Sequence, residues 1–420
     1  AAGACVALGR WAPVLAPLVF WPHPEGRWTA EGPAPAGRDV VLITVDTLRV
    51  DAARAMRHLP GPVRAARTSS PWTLPSLASL HTGLEPGEHG ALRLSEGFGR
   101  VADHAEPLAE VFARAGWDTA ATVESPFCDP AFGLHRGFAR YRAAAERDWI
   151  VPRAPTGERA RSVAGVLLAA AGLAPGDPGG ADARVADVRA IVAARRDRPL
   201  FLWVHLLDPH LPYRHAADPE LRAATRVALL PRLDDALLAR LREAYAREVD
   251  VVDGAIARVR EALPGAIVAV TSDHGEEFGE HGGFEHGHTM YEELLAVPLA
   301  TNEPALDGVV ATRELARALP AAAGVPGATF TPDPTAPRTA TNPLYGPLDL
   351  RAVRVGDAKR VARGEERWSY DLAADPGERS PGDDVALEPL LPPVPGDEGA
   401  AVPIGAGMRA QLEALGYVEP

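Results

Sequence analysis

Ala266-Ile-Val-Ala-Val-Thr-Ser-Asp273-His274-Gly275-Glu276 decides the fold of this chain. An apolar, β-branched run leads into a polar cluster and then a glycine. That is the pattern of a buried parallel strand delivering side chains at its carboxyl end. In open α/β sheets, ligands bind just outside those ends. Asp273 and His274 are neighbours, so a continuing strand would point them apart, whereas a turn at the strand end lets both reach one ion. A carboxylate beside an imidazole suits Zn²⁺, Mn²⁺ or a similar divalent metal. The stretch runs on through Glu280-His281-Gly-Gly-Phe-Glu-His286-Gly-His288. Histidines and carboxylates crowded together and spaced by glycines mark a site rather than a solvated face.

A second strand of the same kind lies far upstream, at Asp39-Val-Val-Leu-Ile-Thr-Val45, and is followed at once by Asp46. Its continuous apolar run predicts burial on both faces. Asp46 is a second metal-ligand candidate, although Asp is also favoured at helix N-caps. In Pro71-Trp-Thr73-Leu-Pro75-Ser76-Leu-Ala-Ser-Leu-His81-Thr-Gly83, Pro75 suits a first helical turn and Gly83 a helix end. Thr73 then sits at the amino end, where free N–H groups and the helix dipole favour an anion. It is either a nucleophile placed to attack or an ordinary helix cap. Pro199-Leu-Phe-Leu-Trp-Val-His-Leu206 is a further buried strand, leading to Asp208-Pro-His210.

These residues, in this order, resemble the alkaline phosphatase/sulfatase superfamily, in its sulfatase-like branch. The resemblance spans roughly residues 38–420 and includes Phe132–Tyr141, Tyr245–Asp253, Tyr291–Pro298, Trp368–Glu378 and Leu415–Val418. It implies an α/β fold with a mostly parallel central sheet and helices on both faces, plus a small C-terminal antiparallel subdomain. The corresponding divisions are 1–37 (an N-terminal segment or linker), 38–340 (catalytic) and 341–420 (C-terminal).

The resemblance also assigns roles. Asp46, Asp273 and His274 bind a divalent metal (Zn²⁺, Mn²⁺, Ca²⁺ or Mg²⁺), and the Thr73 oxygen joins them. His210 contacts substrate. His286 protonates the leaving group or neutralises the transferred group. Asp208 and His288 are further metal candidates, with Asp208 able to hold a second ion together with His286 or His288. One ion is favoured over two, because position 212 is Pro where the two-zinc relatives place His. For His281, and for His288 in preference to ligation, the resemblance leaves hydrogen bonding around the ligands.

The departures carry as much weight. Sulfatases place Cys or Ser where this chain has Thr73, and oxidise it to formylglycine. Thr is not a known source of that aldehyde, whereas phosphatase, phosphodiesterase and phosphotransferase relatives use an unmodified Thr. Leu77 replaces an Arg, Thr47 replaces the second Asp of a pair, and Ala115–Phe127 holds no Gly-Lys-x-His segment. The expectation is therefore a metal-dependent hydrolase or transferase of phosphate or sulfate esters. Phosphodiester or phosphoryl transfer is favoured over a sulfatase with an atypical nucleophile. The remaining alternative is a non-catalytic relative that only binds.

Composition sets the outer bounds. The 420 residues are 46% hydrophobic, enough for a large core. The net charge of −13 argues against a nucleic-acid partner, and leaves a small anionic ester as substrate because a metal dominates its local field. No partner protein is evident. The two cysteines, Cys5 and Cys128, supply neither a disulfide framework nor a zinc cage. Small residues ahead of Cys5 resemble the tail of a bacterial lipoprotein signal. An extracytoplasmic location is the resulting expectation, and two readings of the segment stand side by side: a lipid tether to a membrane, or a trimmed export or anchor segment with an incidental Cys. The run Trp11–Trp21 is too short to span a bilayer.

Overall fold

In the computed structural model, residues 28–143, 179–221, 233–345, 347–396, 401–405, 408–409 and 411–412 are described. Cys5, the run Trp11–Trp21, the stretch Gly157–Leu173, whose spacing predicts a helix, and the motif Leu415–Val418 lie outside them. Among the described residues, no helix is long and apolar enough to cross a membrane.

The main sheet has seven strands: β1 (Val40–Val45), β2 (Arg64–Arg67), β3 (Asp118–Val123), β4 (Arg140–Ala143), β5 (Leu200–Leu206), β6 (Ile267–Ser272) and β7 (Ala296–Thr301). Their spatial order is β2-β7-β6-β1-β5-β3-β4. β1 is central and parallel to both β5 and β6, β3 is parallel to β5 and β4, and β7 alone runs against its neighbours β6 and β2. The mostly parallel sheet is as the sequence predicts.

Alternation along these strands explains why both faces are covered. Val40 and Leu42 of β1, Phe201 and Trp203 of β5, and Ile267 and Ala269 of β6 pack on one face. They meet α1 (Thr73–Thr82), α2 (Leu108–Arg114) and α5 (Leu315–Ala323). Val41, Ile43 and Val45, with Leu202, Val204, Val268 and Val270, form the other core. That face is closed by α3 (Gly180–Ala193) and the 28-residue α4 (Asp235–Ala262). Each such aliphatic side chain is worth about 1.5–3 kcal/mol when fully buried. A period of two in the strands, with apolar residues in both phases, is what a sheet sandwiched between helices requires.

A second, antiparallel sheet follows: β8 (Arg338–Thr341), β9 (Arg351–Val355), β10 (Ala358–Arg363) and β11 (Glu366–Asp371). It is the small C-terminal subdomain the sequence predicts, and its first strand straddles the expected boundary at 341. An ion cluster seats it on the catalytic body. Lys359, the one lysine of the chain, is 1% exposed. Its ammonium forms an ion pair with Glu378 Oε1 at 2.7 Å and donates to Glu292 Oε1 at 3.1 Å and to the Met290 carbonyl. Glu292 also pairs with Arg67 of β2 and Arg354 of β9. Nearby, the Asn342 carbonyl accepts from Trp72 Nε1 at 2.6 Å and Ser70 Oγ at 3.1 Å. The small sheet thus braces the chain leading into α1.

Candidate active site at the carboxyl edge of the sheet

The register places the site. Val45 lies level with Ser272 on one side and Leu206 on the other, so the next residues, Asp46 and Asp273, emerge side by side. The Asp46 N–H still donates to the Leu206 carbonyl at 2.8 Å, and the chain then turns. Thr47 takes that turn at φ 57°, a left-handed conformation costly for a β-branched residue. Its N–H donates to Asp273 Oδ1 at 3.3 Å, while the Tyr245 hydroxyl of α4 donates to the Thr47 carbonyl at 2.9 Å. The same hydroxyl accepts from the Arg49 N–H at 2.9 Å. These bonds hold the strained turn in place.

Beyond β6 the strand stops at Ser272, and Asp273 and His274 both turn inward, as the sequence reading requires. Gly275 follows because nothing larger fits: a Cβ there would lie 1.8 Å from the Glu293 carbonyl oxygen. His274 Nδ1–H donates to the Gly275 carbonyl at 2.9 Å, which turns the Nε2 lone pair into the site. Three oxygens surround that nitrogen: Thr73 Oγ1 at 3.2 Å, and Asp46 Oδ1 and Asp273 Oδ2 at 3.5 Å each. All four residues are fully buried.

Thr73 is the first residue of α1, not its cap. Trp72 holds the N-cap position in an extended conformation, and no side chain caps the helix. The first turn therefore keeps its N–H groups for an anion. The cap reading of Thr73 does not describe this geometry.

One member was not legible in advance. His205 lies inside β5 and is fully buried. Its Nδ1 is 2.8 Å from Thr44 Oγ1, and its Nε2 is 3.5 Å from Asp46 Oδ2. The one available signal was a polar residue inside a strand buried on both faces. His210 and His286 lie together beside the site. The ring of His286 lies 4.2 Å from that of His274 and 5.0 Å from that of His210, between centroids. Glu276 Oε1 meets His286 Nδ1 at 2.9 Å and fixes the ring.

The other predicted residues go elsewhere. His288 Nε2 pairs with Glu277 Oε2 at 2.8 Å, and His281 stacks on Tyr291 with centroids 3.5 Å apart. Asp208 does not join His286 or His288. It faces Glu124, Arg214 and Glu248, and its Oδ1 accepts from the Ala181 N–H at 3.1 Å.

Electrostatics separate the two central carboxylates. Burial opposes charge on Asp46, but His210, His205 and His274 outweigh it and hold its carboxyl below the usual range. Burial, and then the neighbouring Asp46, push Asp273 well up. Burial also lowers His274. His286 is lowered further, by burial and then by His274, His210 and His288.

The donor set fits a divalent ion. Both oxygens of Asp46, Asp273 Oδ2 and His205 Nε2 are buried without a hydrogen-bond partner among the described residues. Asp46, His205 and Asp273 each offer a ligand atom within 4.8 Å of the others. Buried carboxylates this close need a compensating cation or a shared proton. The separations of 3.2–3.5 Å around His274 Nε2 suit ligands that share one ion at about 2.1 Å.

A sheet of this order, with carboxylates and imidazoles gathered at its carboxyl edge, defines an alkaline phosphatase-like fold built for ester hydrolysis. The chain belongs to the sulfatase family, whose model matches residues 38–300. Enzymes of this family hydrolyse sulfate and phosphate esters. Three solved structures illustrate the likeness. The phosphonate monoester hydrolase of Agrobacterium radiobacter is 18% identical, with a TM-score of 0.56 covering 84% of this chain and 93% of its own. A 2-O GAG sulfatase is 16% identical, with a TM-score of 0.59 covering 84% and 89%. A protein solved with its substrate D-glucosamine-2-N,6-O-disulfate is 14% identical, with a TM-score of 0.61 covering 84% and 96%. Among curated protein sequences none matches.

Proposed function

We propose that this chain hydrolyses or transfers phosphate esters, phosphodiesters foremost, with Thr73 as an unmodified nucleophile. The observation that carries this reading is the Thr73 hydroxyl, fully buried at an uncapped helix amino end and 3.2 Å from His274 Nε2. Asp46, Asp273, His274 and Thr73, with His205, would hold a divalent ion, which lowers the pKa of a bound hydroxyl and offsets charge on the transferred group.

The remaining work falls to the chain itself. The first turn of α1 offers N–H groups to the anionic group under attack. His210 and His286 flank the site and donate to its oxygens. An arriving anion raises the depressed pKa of His286, because an opposite charge favours the imidazolium. His286 then has a proton for the leaving oxygen, while Glu276 keeps its ring oriented. The Thr73 oxygen, its proton released to solvent, bonds to phosphorus as the P–O bond to the leaving alcohol breaks; a diester leaves its second alcohol on the phosphothreonine, which water or an acceptor alcohol then resolves.

Sulfate ester hydrolysis is the second reading, favoured by the family and by the disulfated glucosamine bound by one neighbour. A panel of aryl sulfate, phosphate monoester, phosphodiester and phosphonate ester separates the two. Highest kcat/KM on the aryl sulfate would overturn the phosphoryl reading. No turnover on any member, with no tightly bound metal, would leave only a binding role.

A further inference from the structure

A second group of ionisable residues lies along the same sheet edge, over β5 and β3 rather than β1 and β6. Glu124 follows β3, Asp208 and His215 follow β5, and Glu248 projects from α4. Asp208, Glu124 and Glu248 are 3%, 4% and 0% exposed. The contacts are specific. Glu124 Oε1 accepts from the Gly180 N–H at 2.8 Å and from Arg214 Nη2 at 2.9 Å. Asp208 Oδ1 accepts from the Ala181 N–H. Glu248 meets the backbone N–H of His215 at 2.6 Å and its Nδ1 at 2.5 Å.

Two oxygens are left over. Asp208 Oδ2 and Glu124 Oε2 are buried with no hydrogen-bond partner among the described residues. Asp208, His215 and Glu248 each present one ligand atom within 4.8 Å of the others. Three buried carboxylates face one guanidinium and one half-exposed imidazole. Carboxylates packed this closely are costly unless a cation compensates them. The amino end of α3 does not supply that cation. Its N–H groups bind one oxygen each of Glu124 and Asp208, and so aim the second oxygens away from the helix.

We infer that Asp208, His215 and Glu248 form a second divalent-cation site, distinct from the one around Asp46 and Asp273. Two carboxylates and one imidazole suit an ion of the Mn²⁺ or Zn²⁺ type. Glu124 acts beside it, holding Arg214 and filling the charge around the ion. The site joins the loop after β5 to α4. That loop carries His210 two residues beyond Asp208, so the ion steadies a wall of the active site without touching the reacting group.

The test counts ions with Mn²⁺ as the probe. The full chain is stripped of metal, equilibrated with excess Mn²⁺ and assayed for bound ions per chain. His215→Ala is the first variant, because a half-exposed side chain can be removed without emptying the core. Asp208→Asn, which keeps the size and the oxygen facing α3, is the second. Each variant is expected to bind one Mn²⁺ fewer than the unsubstituted chain. A third variant, Asp46→Asn combined with Asp273→Asn, should keep the ion that His215→Ala loses. Equal counts in the unsubstituted chain and His215→Ala would overturn the site, whatever becomes of the ion at Asp46. Loss of the same single ion in His215→Ala and in the Asp46/Asp273 variant would also overturn it, since one shared ion would then account for both groups.

Discussion

The Thr73 hydroxyl lies 3.2 Å from His274 Nε2, although 201 residues separate them in the chain. One sits at the start of a helix and the other just past a strand, and β1 brings Asp46 Oδ1 to 3.5 Å from that same nitrogen. Hydroxyl, imidazole and carboxylate are thus supplied by three separate elements that share only an edge of one sheet.

Thr73→Ala is expected to keep the fold and lose at least about a thousand-fold in kcat, because binding contacts alone leave only residual rate. Thr73→Ser should retain measurable turnover, since it keeps the hydroxyl. Mass spectrometry of enzyme quenched during turnover should find an adduct on the peptide containing Thr73, of phosphate mass with a monoester and of phosphate plus the retained alcohol with a diester. An active Thr73→Ala enzyme with no adduct would mean that water attacks directly.

Removing metal with a chelator is expected to abolish activity, and Asp46→Asn or Asp273→Asn to weaken metal binding at least about ten- to a hundred-fold. His205→Ala should weaken it as well, because Nε2 of that ring faces Asp46 with no other partner. Calorimetric titration of stripped protein measures all three. Unchanged affinity in His205→Ala would confine that residue to packing.

His286→Ala should slow esters of basic alcohols about a hundred-fold and nitrophenyl esters far less, as a general acid matters most for a poor leaving group. Glu276→Gln should show the same selectivity in weaker form, because it disturbs only the orientation of the ring. Equal losses on both kinds of ester would assign His286 to binding the transferred group.

His81 offers a test of acid stability. It is fully buried, edge-on to Trp203, and neither ring nitrogen has a partner among the described residues. Burial, and then His205, push it down to about 3. The unfolded chain therefore takes up a proton near pH 6.5 that the folded chain refuses until about pH 3. Stability from this group is present above pH 6.5 and falls as the pH drops towards 3, by up to about 1.4 kcal/mol per pH unit. His81→Phe should remove that sensitivity. Its melting temperature relative to the unsubstituted chain should rise steadily from pH 7 to pH 4. A constant offset across that range would refute the assignment.

The strand runs ending at Val45, Leu206 and Ser272 were legible because apolar residues in both phases leave no other fold for them. Asp46, Asp273 and His274 were legible for the same reason: each lies just past such a run. His205 was harder, since its meaning depends on Thr44 and Asp46 across the strand pairing, about 160 residues away in the chain. Asp208 sits in an equally readable position after β5, yet its partners are Ala181, Glu124 and Glu248, which no spacing announces. The N1 position of Thr73 depended on Trp72 taking the cap conformation, a choice fixed partly by Asn342 of the distant small sheet.

The placement of Lys359 makes the chain its own chemical reporter. Among 43 basic residues it is the only primary amine on a side chain, and the folded molecule hides it. Amine-acylating reagents and amine cross-linkers therefore find no lysine on the folded surface, and any label gained at residue 359 marks a molecule whose small sheet has lifted from the catalytic body. Labelling kinetics at that one atom would time the separation directly, with no engineered probe and no second lysine to subtract.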